Sequence, residues 1–116
     1  MPDNYPKYYR LSDNKLIEQI AKHGNKVVKY PVLIKWLWVD NLDSQAKIAI
    51  SISKHKIKRA VKRNKIKRRI KEVLRQNKDY FLKDKKLALL IVYLDNTILP
   101  YDKIKSSLLN ALQEIN

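Results

Sequence analysis

No cysteine occurs in the 116 residues, so disulfides and thiolate metal sites are excluded and nothing points to an oxidising compartment. A single glycine, Gly24, leaves no room for a glycine-rich phosphate loop. The eleven acids are scattered, whereas a metal-dependent nuclease needs clustered carboxylates to hold Mg2+ against a phosphate. The closest loop pair, Asp40 and Asp43 in DNLD, reads as a turn. His23 and His55 lie far apart in sequence and lack partners at ligand spacing, and His23 suits a helix C-terminus. No catalytic residue and no protein-bound metal is therefore expected. No apolar run approaches the roughly 20 residues of a membrane span. The first ten residues, MPDNYPKYYR, hold no apolar core of signal-peptide length. The expectation is a cytoplasmic protein with no membrane partner.

What is present is charge, and it is local. Lys54 to Arg75 reads KHKIKRAVKRNKIKRRIKEVLR and holds twelve Lys or Arg against one acid, Glu72. That is +11 of a net +15, which leaves +4 for the other 94 residues. Localised positive charge of this kind serves to bind a polyphosphate. A lipid-binding helix would work without a folded domain behind it, but here 45% of the residues are hydrophobic, enough for one real core. Nucleic acid is the expected partner.

The chain divides into an arm, residues 1–11, with two prolines, three tyrosines and no period, and a single domain, residues 12–116. Ser12 is placed to cap a helix over 13–23, with Leu16, Ile17, Ile20 and Ala21 on one stripe and Gly24 as a left-handed stop. Val27 to Val39 is β-rich, with Pro31 pushing the main strand beyond it and leaving room for a short strand near Val27. DNLDSQ is a turn. Lys47 to Ser53 alternates, Ile48, Ile50 and Ile52 against Ala49, Ser51 and Ser53, and is expected to form an antiparallel hairpin with the preceding run. A helix over 61–77 follows, then a polar connection over 79–86. Leu87 to Leu94 is apolar throughout, as a strand covered on both faces requires. Pro100 opens a last helix whose inner face carries Ile104, Leu108, Ala111, Leu112 and Ile115. The order α-β-β-α-β-α predicts an α+β fold.

On a helical wheel with Arg63 at zero, Lys67 falls at about 40°, Lys71 at 80°, Asn64 at 100°, Arg75 at 120° and Arg68 at 140°. Ile66, Ile70, Val73 and Leu74 occupy the opposite, buried stripe, and Lys65, Arg69 and Glu72 the remaining side. A solvated helix would interleave acids to gain i,i+4 pairs. This one gathers repelling cations on one arc, and the counter-charge is expected from outside. Arg supplies bidentate and Lys point-charge contacts to phosphates. The basic link Lys54–Arg59, including Lys58 and Arg59, and then Lys62 lead into it from a strand whose small residues Ala49, Ser51 and Ser53 would let a nucleic-acid strand lie close. A structural RNA-binding protein such as a ribosomal protein, and a duplex-DNA binder, fit the charge equally well at this point.

Arg63-Asn64-Lys65-Ile66-Lys67-Arg68 followed by Ile70-Lys71-Glu72 resembles the signature of the bacterial ribonuclease P protein subunit. The alternating strand ending in Ser53-Lys54, the close of the first helix at Lys22-His23-Gly24 and the apolar strand Leu87–Tyr93 agree with it, over nearly the whole chain beyond the first ten residues. The resemblance implies a two-layer α/β sandwich with a left-handed β-α-β crossover, shared with some ribosomal proteins. It implies two partners, a catalytic RNA and precursor tRNA, with removal of the tRNA 5′ leader as the activity. The RNA carries the chemistry with its own Mg2+, and no DNA is expected. Carried over, Arg63, Asn64, Lys65, Lys67, Arg68, Lys71 and Arg75, with Lys58, Arg59 and Lys62 before them, contact the catalytic RNA. Lys54, His55, Lys56, Ser51 and Ser53 border a leader cleft whose wall includes Ile17, Ala21 and Trp36. Members commonly carry phenylalanines where this chain has Ile17 and Ala21. Their loss removes base stacking of about 1–3 kcal/mol each, with Trp36, Trp38 or Tyr30 as candidate replacements. Lys65 stands where the third signature position is usually Arg.

Overall fold

The computed structural model describes residues 9–115. Its elements run α1 (Asn14–His23), β1 (Asn25–Lys29), β2 (Val32–Trp38), β3 (Ala46–Ile52), α2 (Ala60–Gln76), β4 (Leu87–Tyr93) and α3 (Tyr101–Gln113). The expected class and order hold, with β1 as the additional short strand. The four strands form one sheet in the order β1-β2-β4-β3. β4 is central and apolar throughout, and its flat apolar profile follows from burial on both faces. It pairs antiparallel with β2 and parallel with β3, so β3-α2-β4 is the parallel crossover unit.

The expected β2–β3 hairpin does not form. β4 takes the position between them, because only the centre of the sheet can bury LALLIVY on both sides. The antiparallel hairpin is instead β1–β2, joined through Tyr30 and Pro31. α2 and α3 pack on the side of Ile34, Ile48, Leu89 and Ile91, and α1 packs on the side of Ala88 and Leu90. Ile66, Ile70, Val73 and Leu74 fasten α2 to the sheet with no exposed surface, each contributing about 1.5–3 kcal/mol by burial.

Local details differ where a neighbour outcompetes the expected residue. Asp13, not Ser12, caps α1, its carboxylate accepting from the amides of Lys15 and Leu16 at 3.0 and 3.3 Å. Gly24 is extended (φ −68°, ψ 151°), not left-handed. Its lack of a Cβ is required instead by packing, since a Cβ there would lie 2.5 Å from the Ile20 carbonyl oxygen and 3.2 Å from the Trp36 amide. Residues 1–8 of the expected arm lie outside the described residues. Tyr9 to Leu11 belong to the domain: Tyr9 packs edge-on to Phe81 at 5.6 Å, and the Leu11 amide donates to Ile48 along the β3 edge. The 79–86 connection is not purely polar, because Phe81 is buried in the core.

Candidate nucleic-acid interface

The apolar stripe of α2 points its basic arc away from the sheet. Asn64, Lys65, Arg68 and Lys62 are exposed, while Arg63, Lys67, Lys71 and Arg75 are half-buried along the flanks. The arc is not uniform. Lys67 and Lys71 lean over the β3 edge, where they line a hollow of about 330 Å³ with Arg10, Leu11, Ile17, Ile48, Ala49 and Ile50. Arg63 turns back, its Nη1 donating to the carbonyls of Ile57 and Lys58 at 2.8 Å each. Arg75 grips Glu72 with two hydrogen bonds of 3.1 and 2.6 Å. The Arg75 guanidinium holds the Glu72 carboxyl below the ordinary carboxylate range. Arg69, on the expected solvent side, donates to the Leu99 carbonyl and ties α2 to the loop before α3.

The basic link is folded rather than extended. Ser53 Oγ accepts from the amides of His55 and Lys56, so this residue shapes a turn. Buried Ile57 pins the link and Lys56 Nζ donates to the Leu94 carbonyl at 2.6 Å. Lys56, Lys58, Arg59 and Lys62 then ring a second hollow of about 420 Å³ with Asn96 and Thr97. Its other border is held by Asp95, whose carboxylate accepts from the Thr97 amide and hydroxyl and from the Tyr30 hydroxyl. Those bonds, Thr97's first, depress the Asp95 pKa, and the same contact raises that of Tyr30. Among the described residues no group of three or more acids or histidines gathers at metal-binding spacing.

On the opposite, α1 side, the sheet is only partly covered. Ile17 is half-buried and Ala21 exposed on the flank of α1, beside half-buried Ala49 and Val92 and exposed Ser51. Lys54, His55 and Lys56 follow at the end of β3, all exposed. Trp36 does not join this wall. It pairs with Leu89 and belongs to the core under α3, edge-on to Trp38 at 5.3 Å. Strand alternation puts the even positions of β2 on that side, so neither tryptophan reaches the α1 groove. Lys35 does: its Nζ donates to the Ala21 carbonyl at 2.6 Å. The signal for it was in the strand, where Lys35 is the one charged residue of VLIKWLW. Arg10 and Asp95 also escaped the motif, since only the fold brings them to the basic surface.

The Ribonuclease P family model matches residues 5–116. The fold is similar to the ribonuclease P protein of Staphylococcus aureus, with 27% identity and a TM-score of 0.78 over 90% of this chain and 93% of that one. It is also similar to the Thermotoga maritima protein, with 20% identity and a TM-score of 0.77 over 92% and 97%. No curated protein matches the sequence.

Proposed function

The chain belongs to the ribonuclease P protein family, and from that premise we propose how its surfaces divide the work of a ribonuclease P protein subunit, which supports removal of the 5′ leader from precursor tRNA. The exposed arc of α2, with Asn64, Lys65, Lys67, Arg68 and Lys71, docks on the catalytic RNA, and the link residues Lys58, Arg59 and Lys62 extend that contact. Arg63 and Arg75 shape the surface through the link carbonyls and Glu72. The groove between α1 and the sheet, bordered by Ile17, Ala21, Ser51 and Lys54 to Lys56, takes the single-stranded leader. The chemistry and its Mg2+ belong to the RNA. Among the described residues no three acids or histidines gather where they could hold a metal ion. The setting is cytoplasmic; among the described residues no helix is long and apolar enough to cross a membrane.

The observation that supports this reading is the shared hollow at the β3 edge. Lys67 and Lys71 of the basic helix meet Ile17 and Ala49 of the groove side around it, so a catalytic RNA on α2 and a leader in the groove lie against one continuous surface. About six phosphate contacts lower affinity by roughly 10³ between 50 and 200 mM salt. The test is reconstitution with a ribonuclease P RNA at low Mg2+. The complex is expected to cleave the leader and to bind precursor more tightly than mature tRNA. No rescue at any protein ratio refutes the assignment.

A further inference from the structure

The strand register lays out the groove floor in rows. Val28, Leu33, Val92 and Ser51 face one another across the four strands, and the neighbouring row is Lys26, Lys35, Leu90 and Ala49. α1 covers Leu90, which is buried, but leaves the first row open: Val28 and Ser51 are exposed, Leu33 and Val92 half-exposed. That open row is about 14 Å long, three strand spacings. Its side chains are aliphatic or small. Every described aromatic residue except Tyr30 belongs to the core on the α2/α3 side, and Tyr30 sits at the β1–β2 turn with its hydroxyl committed to Asp95. Among the described residues the floor rows of the groove therefore carry no ring on which a base could stack, and the exposed rings near it, Tyr30 and His55, stand at its ends.

It does have a cation beside its floor. Lys35 rises from β2 to the Ala21 carbonyl, one of the last four carbonyls of α1, which lack partners within the helix. An ammonium carries three donors, and this carbonyl takes one. The side chain remains partly exposed where α1 meets the open row. Exposed Lys26 continues the charge toward the β1 edge, and Lys54 lies at the other end, beyond Ser51.

We propose that this groove holds the RNA leader by its phosphates and is indifferent to its bases, with Lys35 as the residue that sets this preference, an inference that rests on the leader-groove reading above. A phosphate passing between Ala21 and Leu33 takes the remaining donors of Lys35, while the aliphatic floor excludes water without selecting among bases.

The test uses the reconstituted holoenzyme and precursor tRNAs carrying all-uridine, all-adenosine or abasic leaders, with mature tRNA as the reference. The three leaders are expected to bind within about twofold of one another, all tighter than mature tRNA. Lys35→Gln keeps a donor for the Ala21 carbonyl but loses the charge. It is expected to reduce the precursor-over-mature ratio about fivefold and the logarithmic salt slope by about 0.7. Lys35→Arg is expected to stay within about twofold of the unmodified protein. Ile17→Phe adds a ring, and base-bearing leaders should then exceed the abasic one by at least about fivefold. An abasic leader bound tenfold more weakly by the unmodified protein overturns the proposal, as does a Lys35→Gln variant with unchanged ratio and slope. In both cases a surviving precursor preference leaves the leader groove standing. Loss of that preference for every leader, before any substitution, overturns the groove reading and this proposal together.

Discussion

Under α2 and α3 the sheet carries most of the buried apolar side chains and nearly every ring. Under α1 it carries a small cluster of Leu11, Ile20, Leu42, Ala88 and Leu90 and an open row beside it. The closed side has no buried polar side chain among the described residues except Ser107, which donates to the Tyr30 carbonyl. The open side has a lysine bridging strand to helix. The contrast separates two requirements that compete in a small domain. One face supplies enough dense burial for stability, so the other can stay half-covered and present small, aliphatic and cationic groups to a ligand. Residues on the open side, such as Ile17 and Ala21, are then free to vary in size without removing the fold.

The largest expected effect tests that division directly. Phe81→Ala removes a ring that is 1% exposed and packed against Tyr9, and should cost about 3–5 kcal/mol in urea unfolding. Ile17→Ala, half-buried at the groove, should cost about 1 kcal/mol or less while altering leader binding. Equal costs would break the comparison. Gly24→Ala comes next. Its Cβ would press on the Ile20 carbonyl and the Trp36 amide, where α1 meets the β1–β2 hairpin. A loss of about 1–3 kcal/mol is expected, as for overpacking, read as a lower denaturation midpoint at unchanged slope.

A third experiment separates cations that shape the surface from those that present charge. Arg63→Lys shortens the side chain that brings one donor nitrogen, Nη1, to both the Ile57 and Lys58 carbonyls. It should cost about 1 kcal/mol of stability and speed amide exchange over the link. Lys67→Gln should leave unfolding unchanged and lower the salt slope of RNA binding by about 0.7–0.9. Thermal and salt titrations on both variants check the pair, and identical behaviour would show that the arc is functionally uniform.

Much of the fold was legible because periodicity reports burial directly. The stripe Ile66, Ile70, Val73, Leu74 and the two-sided strand Leu87–Tyr93 both appear where expected. The pairing of strands was not, because alternation says which face a residue takes but not which strand lies beside it. The error over β2 and β3 was of this kind. The placement of Trp36 was open to a parity argument: it shares a face with Ile34, which is fully buried under α3, whereas Lys35 faces the other way. The roles of Arg63 and Ser53 as shapers of the link were not legible, since a basic run looks the same whether its side chains reach solvent or a carbonyl six residues away.

The smallest effect concerns acid. The Asp95 carboxyl is held low by hydrogen bonds from Thr97 and Tyr30, and that of Glu72 by Arg75. A folded-state pKa below the unfolded one contributes stability that is fully present above the unfolded value, about 4, and is lost as pH falls through the folded value. Both groups lie at the surface, so the effect on global unfolding is minor and the local one more telling. Protonating Asp95 releases Thr97 and Tyr30, which border the basic hollow, while no carboxylate is buried in the core beneath α2 and α3 among the described residues. Lowering pH below about 4 should therefore raise amide exchange at 95–97 before it rises at 66–74. Asp95→Asn should show fast exchange at 95–97 already at neutral pH, with little further change on acidification. If exchange in the α2 core instead rises in step with the loop, the two sides share one cooperative unit and their stabilities are not separable.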